Sequence, residues 1–249
     1  MPPISRPFPR FVADASQEGD PYGRWQERLR EQFERACEPL AGEVGSALSQ
    51  ETIRWFPARS FGARVYVPVT GRASEPTAPR AEPAPPPEPT EQPQAGEQPE
   101  PTEQPEADEQ PEPDEPVLAE YFGHVSFEQP GEHEPSEMRA KVDFTDVTAE
   151  DNPDWRVDLN DDVIAPWYAE AGRSGDFTLI WGLPMVRGAV AVTAELDGEV
   201  LDQAPVRDGR FTLLAVDAIE GFGDPLYLEI RLWDRALREV ASESLYAAE

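Results

Sequence analysis

The chain has 249 residues, and its formal net charge is −29 because 50 aspartates and glutamates face only 21 lysines and arginines. Such a surface repels nucleic-acid phosphates and anionic lipid headgroups, so we expect neither nucleic acid nor a membrane as a partner; a basic protein or a cation fits better. The single cysteine, Cys37, excludes an intramolecular disulfide. The sequence lacks a secretory apolar core and any run of about 18 apolar residues, so we expect a cytoplasmic location.

The amino-terminal part predicts a tail followed by one amphipathic helix. Residues 1–18 are rich in proline and predict a flexible tail. Asp20-Pro21 is typical of a helix start, and Gly42 indicates its end. Apolar residues recur every three or four positions in between, at Tyr22, Trp25, Leu29, Phe33, Ala36 and Leu40. We expect this stripe to pack on the chain's own domain, although it could also enter a partner's groove.

Residues 73–117 form an acidic insert that we expect to be disordered. The insert contains 14 of the 29 prolines and 13 acidic residues, and the triplet Glu-Gln-Pro recurs within it. Such a segment has almost no apolar surface to bury against the entropy of ordering. The sequence leaves open whether the insert is a passive spacer or a binding segment.

Strand patterns lie on both sides of the insert. Residues 61–70 place Val65, Val67 and Val69 on one face, and Pro68 predicts an edge strand. Residues 121–127 alternate in the same way, so we predict that the two strands pair. On this interpretation residues 19–72 and 118–249 belong to one sandwich domain. The competing interpretation makes residues 1–72 a separate small unit.

The remaining chain predicts further short strands. Asp197-Gly198 and Asp208-Gly209 stand between alternating runs and predict tight hairpins. Residues 160–172 predict an extended entry and a short helix that ends at Gly172. The expected fold class is mainly β: an immunoglobulin-like antiparallel β-sandwich with one N-terminal amphipathic helix and a long disordered acidic, proline-rich insert.

One acidic segment resembles part of a calcium loop. Asp158, Asn160 and Asp162 place oxygen ligands at positions 1, 3 and 5, as calcium loops do. Val163 stands where the sharp turn requires glycine, and Ala169 where a bidentate carboxylate should be, so the segment is no EF-hand. A looser calcium site in sandwich loops remains open, and calcium is the only cofactor that the sequence suggests.

Three functions follow from these patterns. The first is a non-catalytic protein-interaction or scaffold module, whose contact surface we expect at aromatic residues in irregular segments: Trp55, Phe56, Trp155, Trp167 and Tyr168. Alternatively these side chains fill the ends of the sandwich. The second function is a calcium-dependent ligand-binding module, and the third is a carboxylate-based hydrolase. The partner's identity and the oligomeric state do not follow from the sequence.

Overall fold

The computed structural model describes residues 25–74, 119–128, 134–168, 173–220 and 226–245. The predicted tail, the Asp20-Pro21 helix start and nearly all of the acidic insert lie outside these ranges, so those three predictions stay predictions. The helices are α1 (Gln26–Cys37) and α2 (Ala41–Val44), and a 3-10 turn follows at Gln50–Thr52. The strands are β1 (Arg54–Trp55), β2 (Arg59–Phe61), β3 (Arg64–Arg72), β4 (Glu120–Glu128), β5 (Ser136–Thr145), β6 (Val157–Tyr168), β7 (Ser174–Pro184), β8 (Ala191–Leu196), β9 (Glu199–Pro205), β10 (Phe211–Glu220), β11 (Glu229–Trp233) and β12 (Glu239–Ser244).

The first sheet carries helix α1 on one face, and we call it the helix-backed sheet. Its strand order is β1-β3-β4-β5, with β2 also paired to β3. Leu29, Phe33 and Cys37 lie one turn apart on α1 and are buried. They pack with Val65, Val67 and Val69 of β3 and with apolar residues of β4. The predicted amphipathic helix therefore covers this sheet through its apolar stripe.

The strands on either side of the insert pair with one another, which confirms the predicted pairing. β3 and β4 are antiparallel and in register from Arg64 opposite Glu128 to Arg72 opposite Glu120. Beyond the last pair, the Ala73 amide donates to the Ala119 carbonyl at 2.9 Å. The insert therefore connects neighbouring strands at one end of their ladder.

The prediction that Pro68 marks an edge strand is wrong, because β3 lies inside the sheet. Its second neighbour is split into β1, which ends at Trp55, and β2, which begins at Arg59. The Pro68 carbonyl accepts from the Phe56 amide at 2.9 Å, on the side of β3 where the split occurs. Since proline has no N–H to donate on that side, the break in the neighbouring strand accommodates it.

Two further sheets pack face to face behind the first. The middle sheet has the order β10-β7-β6, and the outer sheet has the order β12-β11-β8-β9. Every strand pair in both is antiparallel. The core between them contains Ile180, Phe211 and Leu213 from the middle sheet, and Ile230 and Leu232 from the outer sheet. This packing is that of an antiparallel β-sandwich.

The middle sheet is covered on its other face by the helix-backed sheet. Tyr66, Leu179 and Trp181 form a buried cluster between these two layers. Arg59 donates to the Thr212 carbonyl at 2.9 Å, and Arg210 donates to the Trp55 carbonyl at 2.7 Å, which ties the layers together. A strand covered on both faces should be apolar on both, and β7 contains Leu-Ile-Trp at 179–181 in agreement.

The short helix predicted near Gly172 is not present at 166–168. These residues continue β6, where Pro166, Trp167 and Tyr168 pair with Asp176, Gly175 and Ser174 of β7. Ladder hydrogen bonds to β7 therefore override the local helical preference of the segment.

The two predicted Asp-Gly turns are confirmed. Asp197 and Gly198 have φ of 49° and 79°, and Asp208 and Gly209 have φ of 48° and 72°. Both central residues of a type I′ turn need positive φ, which glycine and aspartate tolerate.

Neither helix in the described part of the chain has the length and apolar character that a membrane span requires.

Candidate binding groove

The predicted calcium ligands lie on a strand rather than in a loop. Asp158, Asn160 and Asp162 occupy every second position of β6 and therefore share one face of the strand. Side chains on one face of a strand stand roughly parallel to one another. Asp158 and Asp162 are therefore about 13 Å apart along the strand, whereas oxygens that share a calcium ion lie within about 5 Å of each other. The three side chains are therefore spread along the strand, and no group of three or more histidines, cysteines, aspartates or glutamates that could hold a metal ion occurs within the described ranges.

Asp162 instead pairs with bases of the helix-backed sheet. Its Oδ2 lies 3.1 Å from the Nδ1 of His124, which is buried on β4, and its Oδ1 accepts a hydrogen bond from the Lys141 ammonium of β5. Burial alone would raise the pKa of Asp162, but these two partners outweigh it and lower the pKa below its ordinary value. This carboxylate joins two layers of the fold.

Asp158 has a similar position at the other end of this face. Burial raises its pKa, and the nearby guanidinium groups of Arg54 and Arg72 oppose that increase. Burial and the charge of Asp158 likewise raise the pKa of Glu120. The acidic face of β6 thus meets basic residues of the helix-backed sheet, which explains why an acidic run occupies a strand between two layers.

The structure separates the aromatic residues predicted to form a contact surface. Trp55 and Phe56 are buried in the core, so the expectation that they are exposed is wrong for these two. The reason is that β1 and the residue after it pack between layers. Trp167 is partly buried against the sandwich core. Trp155 and Tyr168 are exposed, with 37% and 76% of their surface accessible. They lie at opposite ends of β6, which spans about 36 Å, so they cannot form one patch.

Trp155 borders a groove of about 270 Å³ between β6 and β12. Val157 and Leu159 of β6 and Leu245, just after β12, complete its apolar wall. Two carboxylates, Asp161 and Glu243, also line it. Alternation along β6 puts Val157, Leu159 and Asp161 on the face opposite Asp158 and Asp162. We call this site the Trp155 groove.

The segment that carries Trp155 is held in place by hydrogen bonds. The Trp155 amide donates to the Asn152 carbonyl at 3.0 Å, and the Asn152 side chain donates to the Thr148 carbonyl at 2.8 Å. Arg156 donates to the Val240 carbonyl of β12 at 2.6 Å. The indole is therefore presented by a pre-organised segment, and a ligand would not have to order it on binding.

Asp161 differs electrostatically from the other carboxylates of β6. Burial raises its pKa to about 6, and the negative charges of Asp217 and Asp162 add to the effect against the charge of Lys141. Within the part of the chain that the structure describes, neither Asp161 nor Glu243 forms a salt bridge. The Trp155 groove thus combines an apolar wall with two carboxylates that form no salt bridge among the described residues.

Sequence reasoning noted Asp161 only as one member of an acidic cluster, and it missed Glu243 and Leu245. A signal for Asp161 was present, because Val157, Leu159 and Asp161 alternate and place one acid on an apolar face. The pattern is informative only once residues 157–168 are known to be a strand. Glu243 and Leu245 reach the groove through the packing of β12 beside β6, which no local pattern encodes.

Comparison with protein-family models, with curated proteins and with solved structures gave no match for this chain.

Proposed function

We propose that this chain is a non-catalytic protein-interaction module with an immunoglobulin-like sandwich, and that the Trp155 groove is its contact site. The connectivity supports the sandwich type. If β6 to β12 are lettered A, B, C, C′, E, F and G, the sheets read A-B-E and G-F-C-C′. This order resembles the A-B-E-D and G-F-C sheets of immunoglobulin domains, except that the edge strand pairs with C instead of E. Cys37, the only cysteine, is buried and free, which agrees with a reducing cytoplasm.

The observation that supports the function is an exposed tryptophan on a pre-organised segment beside an apolar groove. Tryptophan is enriched among residues that dominate binding energies, and such residues lie in or beside pockets. The groove's 270 Å³ accommodates one or two side chains of a bound segment rather than a large ligand.

Affinity capture with three forms of the full chain tests the proposal. We expect at least one stoichiometric partner that binds the wild type, is lost with Trp155→Ala and is retained with Tyr168→Ala. Tyr168 is the matched control because it is the more exposed aromatic residue and lies at the far end of β6, whereas Trp155 precedes the start of that strand. Partners that bind all three forms equally would refute the groove as the contact site.

One observation favours a second function, the carboxylate-based hydrolase. A carboxyl group whose pKa is raised to about 6 can act as a general acid, and a second carboxylate, Glu243, lines the same groove. A survey of glycoside, ester and peptide substrates with the wild type and Asp161→Asn decides this point. Turnover that Asp161→Asn abolishes would replace the interaction module by an enzyme.

A further inference from the structure

We infer that the Trp155 groove takes a segment of a partner protein through an arginine or lysine side chain, which lies against the Trp155 indole and ends at Asp161 and Glu243. This inference rests on the proposed function and specifies the chemistry of the partner.

The shape of the groove fits a long basic side chain. Arginine and lysine have an apolar stem and a charged head, and they bury the stem along apolar surface while the head reaches a polar group. Trp155, Val157 and Leu159 offer the apolar surface, and Asp161 lies further along the same face of β6. A guanidinium over an indole ring gains a further cation–π attraction, which is strongest with tryptophan.

The charges of the groove also select a cation. On the opposite face of β6, Asp162 pairs with His124 and Lys141 of the helix-backed sheet. The negative charges of Asp217 and Asp162 act on Asp161, and Lys141, the cation that opposes them, already pairs with Asp162. Glu243 adds a second negative charge from β12. A cationic guest would therefore relieve repulsion that Lys141 offsets only in part.

Selection from a random peptide library displayed on phage tests the inference on the full chain. Peptides are selected on the wild type after removal of those that bind Trp155→Ala, and their affinities are then measured for three charge variants. Asp161→Asn and Glu243→Gln remove groove charges. Asp154→Asn is the control, because it removes one charge from an exposed position nearby that does not line the groove.

We expect selected peptides to be enriched in arginine or lysine, and Asp161→Asn to weaken them by about tenfold. Asp154→Asn should change affinity less than about twofold, since an exposed charge contributes little. Peptides that need Trp155 but lack basic residues, or that bind Asp161→Asn as tightly as the wild type, would overturn the inference and leave the proposed function standing. Failure to select any peptide that distinguishes the wild type from Trp155→Ala would overturn both.

Discussion

Replacing Asp161 by asparagine should make the protein more stable at neutral pH, although it removes a charge that we assign to binding. Burial and the charges of Asp217 and Asp162 raise the pKa of this carboxyl from 3.8 to about 6 in the folded state. The pKa thus differs by about two units between the unfolded and the folded state. At 1.36 kcal/mol per unit, ionised Asp161 lowers the folding stability by about 3 kcal/mol. An amide of the same shape avoids that cost but still needs hydrogen-bond partners, so we expect a gain of about 1 to 3 kcal/mol.

The gain must depend on pH, and its sign follows from proton binding. Between about pH 4 and pH 6 the folded state binds more protons at this carboxyl than the unfolded state does. The free energy of unfolding of the wild type is therefore unaffected by Asp161 below pH 4, and it decreases as pH rises through 6. The Asp161→Asn variant cannot ionise at this position, so its stability has no such decrease. Its advantage over the wild type should therefore be close to zero at pH 3.5 and complete above pH 7.

Urea unfolding of both forms across this pH range measures the effect, with equal m-values as the check that both unfold alike. A variant that is less stable than the wild type at pH 7.5 would refute the reasoning. A stability difference of the same size at pH 3.5 and pH 7.5 would refute it too, because it would show that the charge of Asp161 is not the cause.

Three other outcomes are expected. Arg231→Met should lower the free energy of unfolding by about 2 to 4 kcal/mol, because the buried carboxylate of Glu195 loses a guanidinium nitrogen 3.3 Å away. Thermal unfolding measures this effect. The control Arg235→Met, at an exposed turn, should change the stability little. Replacing residues 75–117 by a short Gly/Ser turn should preserve a single cooperative unfolding transition, since the β3–β4 ladder remains intact; loss of that transition would mean that the insert contributes to the fold. Millimolar calcium should leave the melting temperature unchanged, and an increase would contradict the structural role assigned to the acidic face of β6.

The features predicted correctly from sequence depend on local periodicity. Alternation placed Val65, Val67 and Val69 on one face, and that face meets helix α1. The two Asp-Gly turns followed from the φ angles that each position requires. The pairing of β3 with β4 was predictable because both strands are long and regular, so a large insertion between them does not obscure the pattern.

The errors arose where a partner strand decides the outcome. Pro68 lies in an interior strand because β1 and β2 leave a gap beside it, and a gap in a neighbour has no signature in the proline's own segment. Residues 166–168 look helical locally but complete the β6–β7 ladder. The calcium interpretation of the acidic run at 158–162 stays a prediction. The pairing of Asp162 with His124 and Lys141 was not predictable, because these two residues come from distant parts of the chain.

The candidate site was only partly predictable for the same reason. Trp155 was selected as an aromatic residue in an irregular segment, and the structure exposes it. The groove beside it depends on β12 lying next to β6, some 80 residues later in the chain. Its electrostatic character depends on Asp217, which approaches from β10.

The single hydrogen bond between Ala73 and Ala119 fixes the two points where the polypeptide leaves and re-enters the fold within one residue spacing of each other. Any folded domain whose own termini are adjacent could be inserted at this position without separating β3 from β4. The junction is therefore a suitable insertion point for a fluorescent reporter or a second binding domain.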